Sequence, residues 1–192
     1  MLTLPESMRL GGQNCLAALA AEDEFLPIWS VIIRPDRSAI CGKGCVQHNI
    51  CRWWDAVLRL EAATGFEIPE FLESAMKKHL RVCFENKLDL VCEHPAFDAK
   101  HPHFIDIHTQ REGFLALAML IRYRNDDWAR KMGRKMVRSL NRFLRDDGLL
   151  DYDLFYEVGA KPGEEKISPD WFTTDSARMV VSTGRMIEGL TE

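Results

Sequence analysis

The chain has 192 residues, 46% of them hydrophobic, and a formal net charge of -4. That length suffices for one domain with a real core, and the mildly acidic balance gives no global case for nucleic acid or an anionic membrane as a partner. The longest apolar run, Gly113 to Ile121, is too short to span a bilayer, and the opening MLTLPESMRLGGQN lacks a basic stretch followed by an apolar one, so neither membrane insertion nor export is predicted.

In chain order, residues 1–46 read as an N-terminal helix and an extended lead-in. GGQNCLAALAAE (11–22) predicts a first helix with Asn14 as its cap. FLPIWSVII (25–33) is β-branched and aromatic and predicts an extended segment. RPDRS makes a turn, and residues 41–46 read as a glycine-containing loop.

A helical-hairpin domain is predicted over 47–192. QHNICRWWDAVLRLEAATGF (47–66) reads as a helix apolar on most of its circumference, ended by Gly65, the usual residue for a left-handed stop. Pro69 suits the start of the next helix, expected to run to about 86. There Phe71, Leu72, Ala75, Met76, His79, Leu80 and Cys83 form an inner stripe opposite Glu73, Lys77, Lys78, Arg81 and Glu85. Residues 103–108 read as a second extended piece. The helix 109–124 is apolar nearly all round, and the helix 128–145 is amphipathic, with Trp128, Met132, Met136, Leu140 and Phe143 inward and Arg130, Arg134, Arg138 and Arg142 outward. Thr174-Asp175-Ser176 caps the start of a third hairpin over 176–192.

A shift of sixty superposes Leu60 on Leu120, Gly65 on Asn125, Met76 on Met136, Leu80 on Leu140, Phe84 on Leu144 and Leu90 on Leu150. The fold class is therefore all-α, a repeat of hairpins in which neighbours bury one another. Turns from buried to amphipathic helix are short, while the returns, 87–108 and 146–175, are long. Antiparallel hairpins put the long returns on one face, together with the N-termini of the buried helices, and any functional site is expected there.

The stretches HNICRWWDAVLRLEAATGF and REGFLALAMLIRYRNDDWARKMGRKM resemble the N-terminal portion of six-hairpin, α/α-toroid glycosidase-like proteins. They are similar to the β-L-arabinofuranosidase-like and unsaturated glycuronyl hydrolase-like groups. The resemblance covers roughly 47–192. It implies a carbohydrate-active protein, a glycoside hydrolase domain or a fragment of one. Six cycles of sixty residues need about 360 residues, so the chain is expected to begin a ring and to self-associate or join the remainder of a longer chain. The alternative is a non-catalytic helical-repeat module that binds a glycan or a protein partner.

Glycoside cleavage uses paired carboxyl groups, and Asp55, Glu112 and Glu188 recur near the starts of buried helices, so they are the catalytic candidates. Charge compensation at helix starts, with Arg52, Arg111 and Arg185, explains the same residues without catalysis. His48, Asn49, Arg52, Trp53, His108, Arg111, Trp171 and Arg185 are the candidates for substrate contact, the arginines and histidines at helix starts and the tryptophans as flat surfaces for a sugar ring. Trp53 and Trp54 point about 100° apart on a helix, so one can be core while the other reaches the centre. Tyr152, Phe155, Tyr156 and Phe172 are placed with Trp171 in the second long return, where packing beneath a loop is the expected reading.

No cofactor motif is present. Gly42-Lys43-Gly44 lacks the spacing of a phosphate loop. A weaker alternative makes the return carrying Cys92, Glu93, His94, Asp98, His101, His103, Asp106 and His108 a metal-binding segment, though the spacing fits no standard site and a polar loop is the expected reading. The six cysteines, at 15, 41, 45, 51, 83 and 92, are read as reduced thiols of a cytoplasmic protein. The arginine row from 130 to 142 has no aromatic residues interleaved with it and reads as a solvated outer face.

Overall fold

The computed structural model describes residues 2–28, 30–35, 37–42, 46–95, 105 and 107–159, with backbone alone for 30–34, 37–42 and positions 107, 108, 152, 153 and 156. The third hairpin, 176–192, lies outside the described residues. The described chain is predominantly helical, in line with the all-α expectation, with two short antiparallel strand pairs near its start.

The first helix, α1, spans Leu4–Ala17 and so begins seven residues earlier than predicted. A capping box sets its start. Thr3 Oγ1 accepts from the Glu6 amide, and the Glu6 carboxylate accepts from the Thr3 amide at 2.7 Å. Asn14, the expected cap, is interior. Strands β1 (Leu19–Ala20) and β2 (Leu26–Pro27) pair around a tight turn in which Glu24 and Phe25 both take positive φ, 55° and 66°. Strands β3 (Ser30–Arg34) and β4 (Arg37–Gly42) form a hairpin. The extended expectation over 25–33 holds for 26–27 and 30–33, whereas Phe25 lies in the turn and residue 29 is outside the described residues; of the turn expected over 34–38, Arg34, Arg37 and Ser38 are strand, and Cys41 and Gly42 belong to a strand rather than a loop.

Helix α2 spans Val46–Thr64 and α3 spans Glu70–Phe84. Helices α4 (Ile107–Arg124) and α5 (Asp127–Asn141) repeat the arrangement. Residues 107–108 are therefore helical, not extended; Ile105 belongs to no element, and 103, 104 and 106 lie outside the described residues. Both hairpin turns need a left-handed residue at the same point of the repeat, Gly65 with φ 67° and Asn125 with φ 51°. Asparagine is the side chain that tolerates this region best after glycine. Pro69 is the cap of α3, and Asp126 caps α5 by accepting from the Ala129 amide at 3.0 Å.

Helices α2 and α4 lie side by side and parallel. Arg52 meets Glu112 near their N-termini, and Glu61 meets Arg124 near their C-termini at 2.7 Å. Their apolar surfaces form the centre of the core, with Ile50, Trp54, Leu58, Leu115, Leu117 and Leu120 fully buried. The outer helices cover them with one face each, α3 through Met76 and Leu80 and α5 through Met136 and Leu140. One expected stripe residue and one expected equivalence fail. Phe71 is 60% exposed, because it opens α3 at the margin of the stripe, where it packs on Phe25 at 5.5 Å between ring centres. Leu144 is exposed although Phe84 is buried, because α5 has ended by Asn141 and Leu144 pairs instead with Leu150 across a turn.

The second return is also not all loop. A further helix, α6 (Tyr152–Gly159), carries Phe155 into the core against Phe143, 5.1 Å between ring centres. Among the described residues no helix is long and apolar enough to cross a membrane.

Candidate functional site at the starts of the inner helices

The second turns of α2 and α4 meet, and their polar side chains converge on one carboxylate. Glu112 is 2% exposed, and its Oε1 accepts from Arg52 Nε at 3.2 Å and from Arg111 Nη1 at 2.8 Å. His48 Nδ1 lies 3.9 Å from the same oxygen. Four of the residues predicted to gather there thus do so. Asn49 sits on the same first turn of α2, half-buried.

The chemistry of this group is asymmetric. Glu112 accepts from two guanidinium groups, so it faces them as an acceptor and not as a proton donor. A buried carboxylate is tolerated only with such partners. Arg52 is anchored through Nε, while its side chain remains 48% exposed, and among the described residues Glu112 is its one hydrogen-bond partner. Its terminal nitrogens, the pair that binds planar oxygen groups end-on, are left for solvent or ligand.

The other candidates are placed elsewhere. Asp55 binds Arg59 on its own helix at 2.7 Å. Trp53 and Trp54 are both buried, so neither reaches an open centre. Trp53 donates to the Cys15 carbonyl at 3.1 Å and fixes α1 to α2, and Trp54 donates to the Met76 carbonyl. His108 lies in the first turn of α4, with only its backbone described. Glu188, Trp171 and Arg185 lie outside the described residues, as do Asp98, His101 and His103. Among the described residues no group of three or more metal-ligating side chains is close enough to hold an ion. Cys15, Cys51, Cys83 and Cys92 are free thiols. The arginine row of α5 faces outward, with Arg130 bound to Asp127 and to Asn125.

The first return is stitched to the start of α4 by residues that no periodicity marks. Gln110, fully buried, uses both ends of its amide on Val91: its Oε1 accepts from the Val91 amide and its Nε2 donates to the Val91 carbonyl, each at 2.9 Å. Gly113 makes room for this approach, since a Cβ there would stand 2.3 Å from Val91 Cγ2. Behind it, two buried histidines touch: His79 Nδ1 lies 3.3 Å from His94 Nε2, and His79 Nε2 lies 2.7 Å from the Glu24 carbonyl. A glutamine one residue before an arginine and a glycine within an apolar helix are the only sequence traces of this strap.

Comparison of the chain with protein families, with curated proteins and with solved structures finds no match in any of the three.

Proposed function

We propose that the chain is a carbohydrate-binding helical-hairpin domain of the six-hairpin glycosidase type, in which α2 and α4 are neighbouring inner walls of an α/α ring. Their parallel packing, with the antiparallel α3 and α5 outside, supports this reading. The free thiols fit a reducing, cytoplasmic setting. The binding face is the end that carries His48, Asn49, Arg52, Arg111 and Glu112.

The observation that carries the proposal is Arg52, held by its Nε on a buried carboxylate with its terminal nitrogens presented at that face. In this reading Glu112 positions Arg52 and does not transfer a proton. Hydrolysis needs two carboxyl groups about 5–10 Å apart across the scissile bond. Glu112 is committed to two arginines and Asp55 to Arg59, so binding is favoured over cleavage by this pair.

The test is titration of neutral and acidic oligosaccharides by calorimetry, with wild type and Arg52→Ala, beside a hydrolysis assay on the same sugars. Saturable binding by wild type, weakened about tenfold in the variant, is expected, tenfold being about 1.4 kcal/mol. No binding to any glycan overturns the reading. Turnover that survives Asp55→Asn together with Glu112→Gln places cleavage in other residues.

A further inference from the structure

His79 and His94 form a buried contact that joins three segments: the turn at Glu24, α3, and the return that Gln110 straps to α4. The Glu24 carbonyl only accepts, so His79 Nε2 carries a hydrogen. With both rings neutral, His79 Nδ1 is bare and accepts from His94 Nε2–H. One added proton is accommodated: His79 then donates from both nitrogens, and His94 turns a bare Nε2 to the contact and keeps its hydrogen on Nδ1. A second proton puts two N–H groups face to face between two buried rings.

We propose that this contact is an acid-sensitive latch, closed while the two rings share at most one extra proton, and opened by a second proton that expels His94 and lifts residues 86–95, which lead into the first return, from the start of α4.

The titratable groups around the pair are Lys78 and Cys83 on α3, the Glu24 carboxylate on the N-terminal turn, and Cys92 and Glu93 on the return. Lys78 is taken up by Glu24 at 2.5 Å, which holds that carboxyl below its usual range. Burial pushes the Cys92 thiol up to about 12 and raises Cys83 well above its ordinary value, so neither thiol ionises in the acid range. His94 itself is pushed down to about 4, first by burial and then by the neighbouring His79. The N-terminal side of the latch is loaded, because Glu24 and Phe25 are non-glycine residues at positive φ and such a turn persists only when held from outside. His79 keeps its hydrogen bond to Glu24 in every protonation state, so the return is the part that leaves.

The consequence for ligand binding rests on the site proposed above, since Val91 lies against Gln110 and Gly113, next to Arg111 and Glu112; the latch itself does not. The experiment reads the return directly: amide exchange of residues 86–95 in the full chain from about pH 7 to about pH 4, corrected for intrinsic rates, with the two imidazoles followed by nitrogen-15 NMR. Protection of the return is expected to fall about tenfold or more towards pH 4 while α2 and α4 keep theirs. His94→Gln, which retains an N–H donor but does not titrate, is expected to make that protection independent of pH. Unchanged protection of the wild-type return at pH 4 overturns the latch. If His94→Gln does not fold, the wild-type rings decide: two independent titrations near the ordinary histidine value overturn it, and one ring staying neutral until about pH 4 supports it. Glycan binding enters none of these readouts.

Discussion

Arg52 reaches Glu112 across sixty residues of sequence and 3.2 Å of space. The two partners differ in what they leave behind when removed. Glu112→Gln strips the counter-charge from the largely buried Arg111 and is expected to cost about 3 kcal/mol, as for a broken buried pair. Arg52→Ala removes a half-exposed partner and is expected to cost about 1 kcal/mol or less. Urea midpoints of the two variants at neutral pH check the order. Equal costs would mean that Glu112 is no more central to the group than Arg52.

Gly113 permits the return to lie on α4. Gly113→Ala is expected to destabilise by about 1–3 kcal/mol, because the new methyl meets Val91 in an already packed site. Val91→Ala in the same chain should recover part of the loss, giving a coupling of about 0.5 kcal/mol or more in a double-mutant cycle. Strict additivity would show that the two residues are not in contact.

The two hairpin turns make a paired experiment. Gly65→Ala is expected to lose about 1 kcal/mol, since alanine must adopt the left-handed region at φ 67°. Asn125→Gly relieves the small steric cost of a side chain at φ 51° and loses one exposed hydrogen bond from Arg130, so its change should stay within about 0.5 kcal/mol. Thermal midpoints of both variants test whether the turns share one backbone requirement.

Acid should destabilise the fold through His94. Its proton affinity is lowered in the fold, from 6.5 to about 4, so between those values the unfolded chain binds more protons than the folded one. Stability therefore rises with pH across that window and is lost on acidification through it. His94→Gln should flatten the thermal midpoint between about pH 6.5 and about pH 4. A midpoint in the variant that falls as steeply as in wild type would assign the acid response to other groups.

Several of these features were legible because their causes are local or periodic. A left-handed stop is a demand on one residue, so Gly65 and Asn125 stood out sixty residues apart. The convergence of His48, Arg52, Arg111 and Glu112 followed from the same period, since equal offsets on parallel helices put like positions at one level. Thr3 and Glu6 carry capping-box spacing at the true start of α1, but the alanine-rich stretch downstream is the stronger helix signal. Helix α6 leaves no trace in the periodicity because eight residues give too few turns for a period to show. The angle between Trp53 and Trp54 leaves one of them open only if α2 has a single neighbour; α1 on one side and α3 on the other bury both. The His79–His94 contact pairs a helix with a return, and no spacing rule connects such positions.

The ion pairs at the two ends of α2 and α4 also fix how these helices can move. Arg52 and Glu61 are nine residues apart, Glu112 and Arg124 twelve, and Arg124 is gripped in addition by both oxygens of Glu73 on α3. Apolar surfaces alone would let one helix slip along the other by a turn, about 5.4 Å, with little change in contact area. Such a slip would part the charges at both ends together. The polar ends act as detents on a greasy rail, and any rearrangement of this pair must proceed by tilting or separating the helices, not by sliding them.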